Sequence, residues 1–468
     1  MSNYRKLGIN MLSLTIGNFA SKLLSFCFVP FYTAVLSTSE YGTADIVTTT
    51  VTLLFPFFSL IICESMMRFA LDKNENKEDV FRVGIVVWLC GLVVLLIMSP
   101  LLLMFKSLKN YWLLVILYYV AYSLSQNVGY YSRGVEKVVL FTLSGIVATV
   151  VTIGLNLMFL LWLKIGVVGY LLSSIIANFF SALVMIVGGE FYKYKISLSR
   201  IDKSLVKRML KYSIPMIPNS ASWWVSNSSD KYILLAFAGV AANGVYSVSY
   251  KIPTIVTIVT SIFATAWRIS AVDKFGSKES QKFYSDVYGM YVSLTVIIAS
   301  ALMTINKPLS TFMFQKEFFQ AWKYVPILLI ASVVHAYCEF FGTLYTSSMQ
   351  TKMLFYSTII GAITNVALNF ALIPFFSALG AAIATLISYM IVWLIRMIHS
   401  SKIMKLKYNL CSDLLAFIMI TLQVVIASIN LKNEIIISTI IFFSIIIVRR
   451  NDLIRMLNMI LKKNKNTN

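Results

Sequence analysis

Lys22, Lys231 and Lys251 sit inside stretches otherwise apolar enough to cross a membrane. An ammonium at the centre of a spanning helix costs roughly 2.5–3.5 kcal/mol, so three facing lipid would cost roughly 8–10 kcal/mol. That rivals the stability of a whole domain. These side chains are therefore expected to face a wet or protein-lined interior, where they can hold an anionic group. Snorkelling rescues a lysine near a span's end, but Lys22 and Lys251 read as near mid-span. Asp45, Glu64, Asp230 and Glu339 are the acids in the same regions. Glu64 and Arg68, and His335 and Glu339, are each spaced i,i+4, which places both members on one helix face. A His–Glu face inside a membrane is a candidate proton site, since imidazole titrates near neutral pH. Each of these groups has a bland reading too: an internal ion pair, or a satisfied polar contact with no part in transport.

The chain that must position them is 468 residues long, 59% hydrophobic and only 13% charged, with a mean hydropathy of +0.80. Soluble domains are about a quarter charged. The class expected is therefore an all-α polytopic membrane protein. A span needs about 20 apolar residues, and fourteen are marked: 9–36, 43–70, 82–105, 111–132, 138–163, 166–189, 212–239, 242–268, 287–305, 322–348, 353–376, 379–398, 412–430 and 435–450. The polar Met1–Asn10 stretch before a run long enough to span is read as no cleavable signal. Five cysteines in apolar segments, none in CxxC spacing, read as small buried hydrophobes. Two histidines are too few for an imidazole metal site.

The net charge of +21 would suit nucleic acid, but its placement argues against that partner. Of the 40 Lys and Arg, seven fall in alternate loops (among them Lys106, Lys109, Lys307, Lys316 and Lys432), three are the intramembrane lysines, and the remaining 30 gather on the opposite face. That asymmetry is a topology signal and puts both termini in the cytoplasm.

The organisation expected is 1–190 as a first lobe of six spans, 191–211 as a basic cytoplasmic linker, 212–400 as a second lobe of six, 401–450 as two further spans and 451–468 as a basic tail. The linker places Leu198, Ile201, Leu205 and Met209 on one face, as an interfacial amphipathic helix would; a plain linker is the alternative. GTADIV (42–47) resembles GVYSVS (244–249), LDK (71–73) matches VDK (272–274), and Asn156 with GVVGYLLSS (166–174) parallels Asn369 with SALGAAIATLIS (377–388). Their common order points to a duplicated six-span unit. Because six is even, both copies enter from the same side, as parallel repeats do. Pro215 and Pro218 should loosen the start of the seventh span, where Asn219, Ser222, Ser226 and Ser229 can satisfy freed groups or line water.

With these segments assembled, the sequence resembles the Wzx-like polysaccharide repeat-unit flippases of the MOP superfamily. The resemblance rests on LKYSIPMIPNSASWWVSNSSDKYIL (210–234), ANGVYSVSYKI (242–252), VPFYTAVLSTSEYGTADI (29–46) and NVALNFALIPFFSALGAAIATLISY (365–389), and covers about the first 400 residues. It implies a V-shaped, MATE-like fold of two six-helix lobes plus two C-terminal helices. It also implies movement of undecaprenyl-pyrophosphate-linked oligosaccharide between leaflets of the bacterial inner membrane by alternating access, with no enzyme activity, no cofactor and an H+ or Na+ gradient as the coupling source. Substrate-binding candidates are Lys22, Lys251 and Arg268 for the phosphates, with Lys231, Asn227 and Trp223; Trp224 and Trp267 are further aromatics for sugar stacking. Ion-coupling candidates are Asp230, Glu64, His335 and Glu339. Partners implied are the lipid-linked oligosaccharide, the bilayer, and a polysaccharide polymerase with chain-length proteins. The rival reading is a MATE-like cation-coupled multidrug exporter, but the mid-span charges are basic and favour anionic cargo. A glycosyltransferase or O-antigen polymerase would need a DxD motif with an aqueous domain, or a large outer loop; neither is evident.

Overall fold

The computed structural model describes residues 22–194, 202–276, 280–348, 350–407, 409–429 and 433–456. Helices account for all of the regular structure among them. The longer ones, in chain order, are α1 (Lys22–Val35), α2 (Thr38–Phe58), α3 (Ile62–Ala70), α4 (Lys77–Met98), α5 (Trp112–Gly134), α6 (Val138–Asn156), α7 (Gly166–Gly189), α8 (Lys203–Ser213) and α9 (Ile217–Ser249). There follow α10 (Thr254–Lys274), α11 (Ser280–Thr304), α12 (Val325–Ser347), α13 (Thr351–Ser400), α14 (Leu410–Ile429) and α15 (Glu434–Val448). Among the described residues, eight helices are long and apolar enough to cross a membrane, or nine if the bent α2–α3 pair is one span. The chain is a multi-pass membrane protein. It packs as two units divided between Ser228 and Ser229.

Local sequence explains where the helices start. Ser37 and Glu40 form a reciprocal capping box on α2, with Glu40 N–H donating to Ser37 Oγ (3.2 Å) and Ser37 N–H to Glu40 Oε2 (2.9 Å). Asn76 Oδ1 caps α4 by accepting from Glu78 N–H (2.9 Å), and Asp202 Oδ1 caps α8 through Ser204 N–H (2.8 Å).

Two of the long helices fold back on themselves. Asp230 and Tyr246 are hydrogen-bonded, although sixteen residues of straight helix would hold them about 24 Å apart. The reversal occurs at Gly239, at φ 85°, a left-handed conformation that glycine adopts without steric cost. In α13 it occurs at Ser377, at φ 50°, and brings Asn365 to Ser388.

In the first unit, α2 and α3 meet at a 61° bend. The break is not at Pro56, which stays inside α2, but at Leu60 and Ile61, both at φ 50°. For a β-branched residue such as Ile61 that region is strained. Ser59 Oγ holds the break by donating to Phe55 O (2.6 Å) and accepting from Ile61 N–H (3.2 Å). α4 passes so close that a Cβ on Gly91 would lie 1.7 Å from Phe58 O.

The linker helix is a correction to the sequence reading. Leu205 and Met209 of α8 are 2% and 0% exposed and join Met66, Phe81, Tyr131 and Phe191 in the first unit's core. Ser65 Oγ donates to Met209 O (2.6 Å), and Arg208 pairs with Glu75. The apolar face expected to lie on lipid is satisfied by protein instead. Leu198 and Ile201 lie outside the described residues.

Candidate functional site

The second unit holds a buried polar cluster built by the two hairpins. Asp230, 4% exposed, accepts from Tyr246 OH at 2.7 Å, from Tyr250 OH at 3.4 Å, and from the backbone N–H of Lys231 at 2.9 Å. The two tyrosine hydroxyls are 2.9 Å apart. One residue before the acid, Ser229 Oγ donates to Asn365 Oδ1 (3.4 Å) on α13. Asn365 Oδ1 also accepts from Asn369 Nδ2 (2.8 Å), while Asn365 Nδ2 reaches Ser388 Oγ (3.3 Å) and Thr385 Oγ1 (3.5 Å). Asn369 is fully buried, and its Oδ1 has no donor among the described residues. Leaving such an acceptor bare costs about 1–3 kcal/mol.

The first unit repeats one element of this pattern. Asn156, the sequence counterpart of Asn369, is also fully buried. Its Nδ2 donates to Tyr32 OH (3.0 Å), and its Oδ1 is likewise bare. The asparagines that mark the duplication thus share a chemical state: amide nitrogen used, carbonyl oxygen open.

α12 carries a second polar feature. Nearly all of this helix is buried, but Ser332, His335, Glu339 and Thr346 lie along one more accessible stripe, and Glu339 and Thr346 are exposed. The stripe follows the 3.6-residue period. The His335 ring lies 4.9 Å from that of Tyr389. Arg268, exposed on α10, and Glu339 are both within electrostatic reach of the Tyr291 hydroxyl. Arg268 Nε bonds Ala264 O at 3.3 Å, one turn back on its own helix.

The remaining candidates are placed as follows. Lys22 is the first described residue of α1 and is exposed. Lys251 is not in mid-helix as expected: α9 ends at Ser249, α10 begins at Thr254, and Lys251 lies half-buried in the break between them. Pro253, with no N–H to give, sits at the restart of the helix. Lys231 is half-buried next to Asp230. Trp223 is 38% exposed, and the exposed Asn227 donates Nδ2 to its carbonyl (2.9 Å). Trp224 Nε1 donates to Thr49 O (3.2 Å). Trp267 is corrected: it is 4% exposed and stacked on Phe340 at 5.0 Å with the rings 5° from parallel, so its face is closed to sugars. Glu64 is half-buried and Arg68 exposed on α3; no ion pair joins them among the described residues. Instead Glu64 and Arg133 both act on the Tyr130 hydroxyl, with the Arg133 guanidinium 4.0 Å over the Tyr130 ring.

Three buried arginines, Arg82, Arg396 and Arg449, were not among the candidates, and the last two tie helices together. Arg396, 3% exposed, donates to Cys338 O (2.8 Å), Ser357 Oγ (2.9 Å) and Thr358 Oγ1 (2.9 Å). It ties α12 to both arms of α13 one residue from Glu339. Arg449, 1% exposed, sits between α11, α14 and α15. Both stand at span ends, where basic residues read as topology markers. A pocket of about 490 Å³ bounded by Lys282, Asp286, Lys407, Asp452 and Arg455 contains none of the candidates, and its acids are paired with Arg455 at 3.3 and 3.6 Å.

Comparisons with known proteins agree with this architecture. Residues 7–268 match the family described as polysaccharide biosynthesis protein. An uncharacterized membrane protein of Methanocaldococcus jannaschii is 24% identical over 262 residues, 51% of this chain and 59% of that protein; the chain thus matches about three fifths of that relative's length. Among solved structures, lipid II flippase MurJ in an inward closed conformation is similar with a TM-score of 0.66 at 14% identity, over 94% of this chain and 98% of that one. An inward-facing multidrug resistance MATE family transporter of the MOP superfamily gives 0.64 at 14% identity, over 84% and 98%. At these identities the likeness is one of fold.

Proposed function

The chain belongs to the polysaccharide biosynthesis protein family, and on that premise we propose that it is a flippase for undecaprenyl-pyrophosphate-linked oligosaccharide, working from the cytoplasmic to the outer leaflet of a bacterial inner membrane. The observation that carries the reading is Arg268. Its guanidinium is exposed on a helix whose neighbouring Ala264, Trp267 and Ala271 are buried. A permanent cation held open on a helix that begins as an apolar stretch suits an anionic cargo. Lys251 supports it: the half-buried ammonium lies in the helix break three residues before the start of α10, where a cation suits an anionic group. Lys22 is an exposed cation of the first unit, and Lys231, Asn227 and Trp223 are the lesser contacts.

Coupling to an ion gradient is assigned to the Asp230 cluster. A carboxylate, the bare Asn369 carbonyl and the hydroxyl of Thr385 form an oxygen-rich, buried environment of the type that hard cations take. A proton on Asp230 is the other occupant that this chemistry allows. His335, Glu339 and Glu64 are the secondary candidates. Both termini are placed in the cytoplasm, and a polymerase and chain-length proteins are the natural consumers of the flipped unit.

Depletion followed by a leaflet-accessibility assay tests this function: lipid-linked oligosaccharide should accumulate on the cytoplasmic leaflet, and accumulation on the outer leaflet would refute it. The second reading, cation-coupled multidrug export, draws support from the exposed carboxylate of Glu339 on α12. It predicts that depletion raises cellular retention of cationic dyes and leaves the lipid-linked pool unchanged.

A further inference from the structure

α15 buries Glu434, Ser438, Ile441 and Ile445, a single helical face that its C-cap Arg449, also buried, continues. It exposes Ile436, Ile440, Phe443 and Ile447. The polar groups of the buried face fall in three layers along about 22 Å of helix, and every layer reaches α11 or its continuation.

In the first layer the Arg449 guanidinium engages five partners. Nε donates to Ser293 Oγ (2.8 Å) and Nη2 to Gly289 O (2.9 Å), both on α11, and Nη2 also reaches Asp452 Oδ2 (3.0 Å). Nη1 bonds Ser412 Oγ (3.1 Å) and pairs with Asp413 at the start of α14. Gly289 leaves the space that Asp452 fills, since a Cβ there would lie 2.9 Å from Asp452 Oδ1. In the middle layer Gln423 of α14, fully buried, accepts from Ser300 Oγ of α11 (2.8 Å) and donates to Ser438 O of α15 (3.0 Å). Thr304 Oγ1 donates to the same Ser438 carbonyl at 3.3 Å. In the last layer Lys307, just beyond α11, lies 2.7 Å from Glu434 Oε2 as a close ion pair and 4.7 Å over the Trp322 ring.

In hydrocarbon the fully buried middle layer cannot find water when separated, so opening the seam there would strand Gln423, Ser300 and the Ser438 carbonyl, and at the two ends it would break the Arg449 and Lys307 ion pairs. We propose that α11, α14 and α15 are fastened into one rigid body that stays closed through the transport cycle, so that this seam is never a lateral gate for a lipid tail. The statement about the tail rests on the flippase reading; the fastening does not.

Paired spin labels test it, with the exposed Cys27, Cys90 and Cys411 replaced. One pair, Lys282→Cys with Asn451→Cys, reports the Arg449 end, and the other, Phe312→Cys with Ile436→Cys, reports the Lys307 end. In proteoliposomes, both distances should be narrow and identical with and without undecaprenyl pyrophosphate and an imposed ion gradient. A displacement of about one helical turn, ~5.4 Å, would overturn the proposal whether or not the protein proves to be a flippase. Arg449→Met with Gln423→Leu should broaden both distributions. Lys307→Ala, a milder change, should broaden only the Phe312–Ile436 pair. Distributions as narrow as wild type in these variants would show that the layers fasten nothing.

Discussion

Tyr246 donates a 2.7 Å hydrogen bond to Asp230 across the hairpin turned at Gly239, so the same contact closes the seventh and eighth expected spans and satisfies the one acid buried there. Tyr246→Phe removes a bond to a carboxylate, a loss of about 1.5–3 kcal/mol. The melting temperature in detergent should fall accordingly, and fall less for Tyr250→Phe, whose contact is longer at 3.4 Å. Equal shifts for the two would contradict this ranking. Asp230→Asn should uncouple export from an imposed Na+ or H+ gradient. Transport that still follows the gradient would move the coupling site elsewhere.

Lys22→Ala, Lys251→Ala and Arg268→Ala should each cut export about ten- to a hundredfold, the equivalent of about 1.5–3 kcal/mol for one charge-assisted contact. Membrane insertion, read by protein level, should be unchanged. Wild-type export by any one of them removes that residue from the head-group site.

The aromatic residues should separate by burial. Trp267→Ala empties the stack on Phe340 and should destabilise the second unit by about 3–5 kcal/mol. Trp223→Ala, at a half-open position, should leave the melting temperature within experimental scatter, so any export defect there reports cargo contact.

Gly91→Ala should abolish accumulation of folded protein, because the new Cβ would fall 1.7 Å from a backbone oxygen that has no freedom to retreat. Gly145→Ala and Gly154→Ala, where nothing lies within 4 Å, should be neutral or raise stability by about 0.5–1 kcal/mol through helix propensity. Fluorescence-detected size-exclusion yield distinguishes the cases.

Met209→Ala should cost about 2–5 kcal/mol, as for a core methionine. A helix lying on lipid would lose far less, so a small effect would restore the interfacial reading of the linker.

Hydropathy made the membrane class and most helices readable, because a spanning segment announces itself by length and greasiness alone. The breaks were less readable. Leu60 and Ile61 carry no glycine or proline signal, and their strain is imposed by Ser59 and by α4 packing against Phe58. Lys251 reads as mid-span in the sequence, yet the helix breaks around it, which Pro253 only hints at. Asp230 was visible as an odd acid; its tyrosine partners were not, since a contact sixteen residues away presupposes the hairpin. Asn156 and Asn369 were visible as repeat markers, but their bare carbonyl oxygens are a property of packing. Arg396 and Arg449 were masked by the rule that reads basic residues at span ends as topology.

The docking of α8 also bears on how the protein is made. Leu205 and Met209 complete a core whose other members come from α3, α4, α5, α7 and Phe191 just beyond it. A ribosome that has released only the first 190 residues has therefore delivered a half-molecule with a hole in it. The core of the first half is complete only once the connection to the second has been synthesised, which orders the formation of the two halves in time.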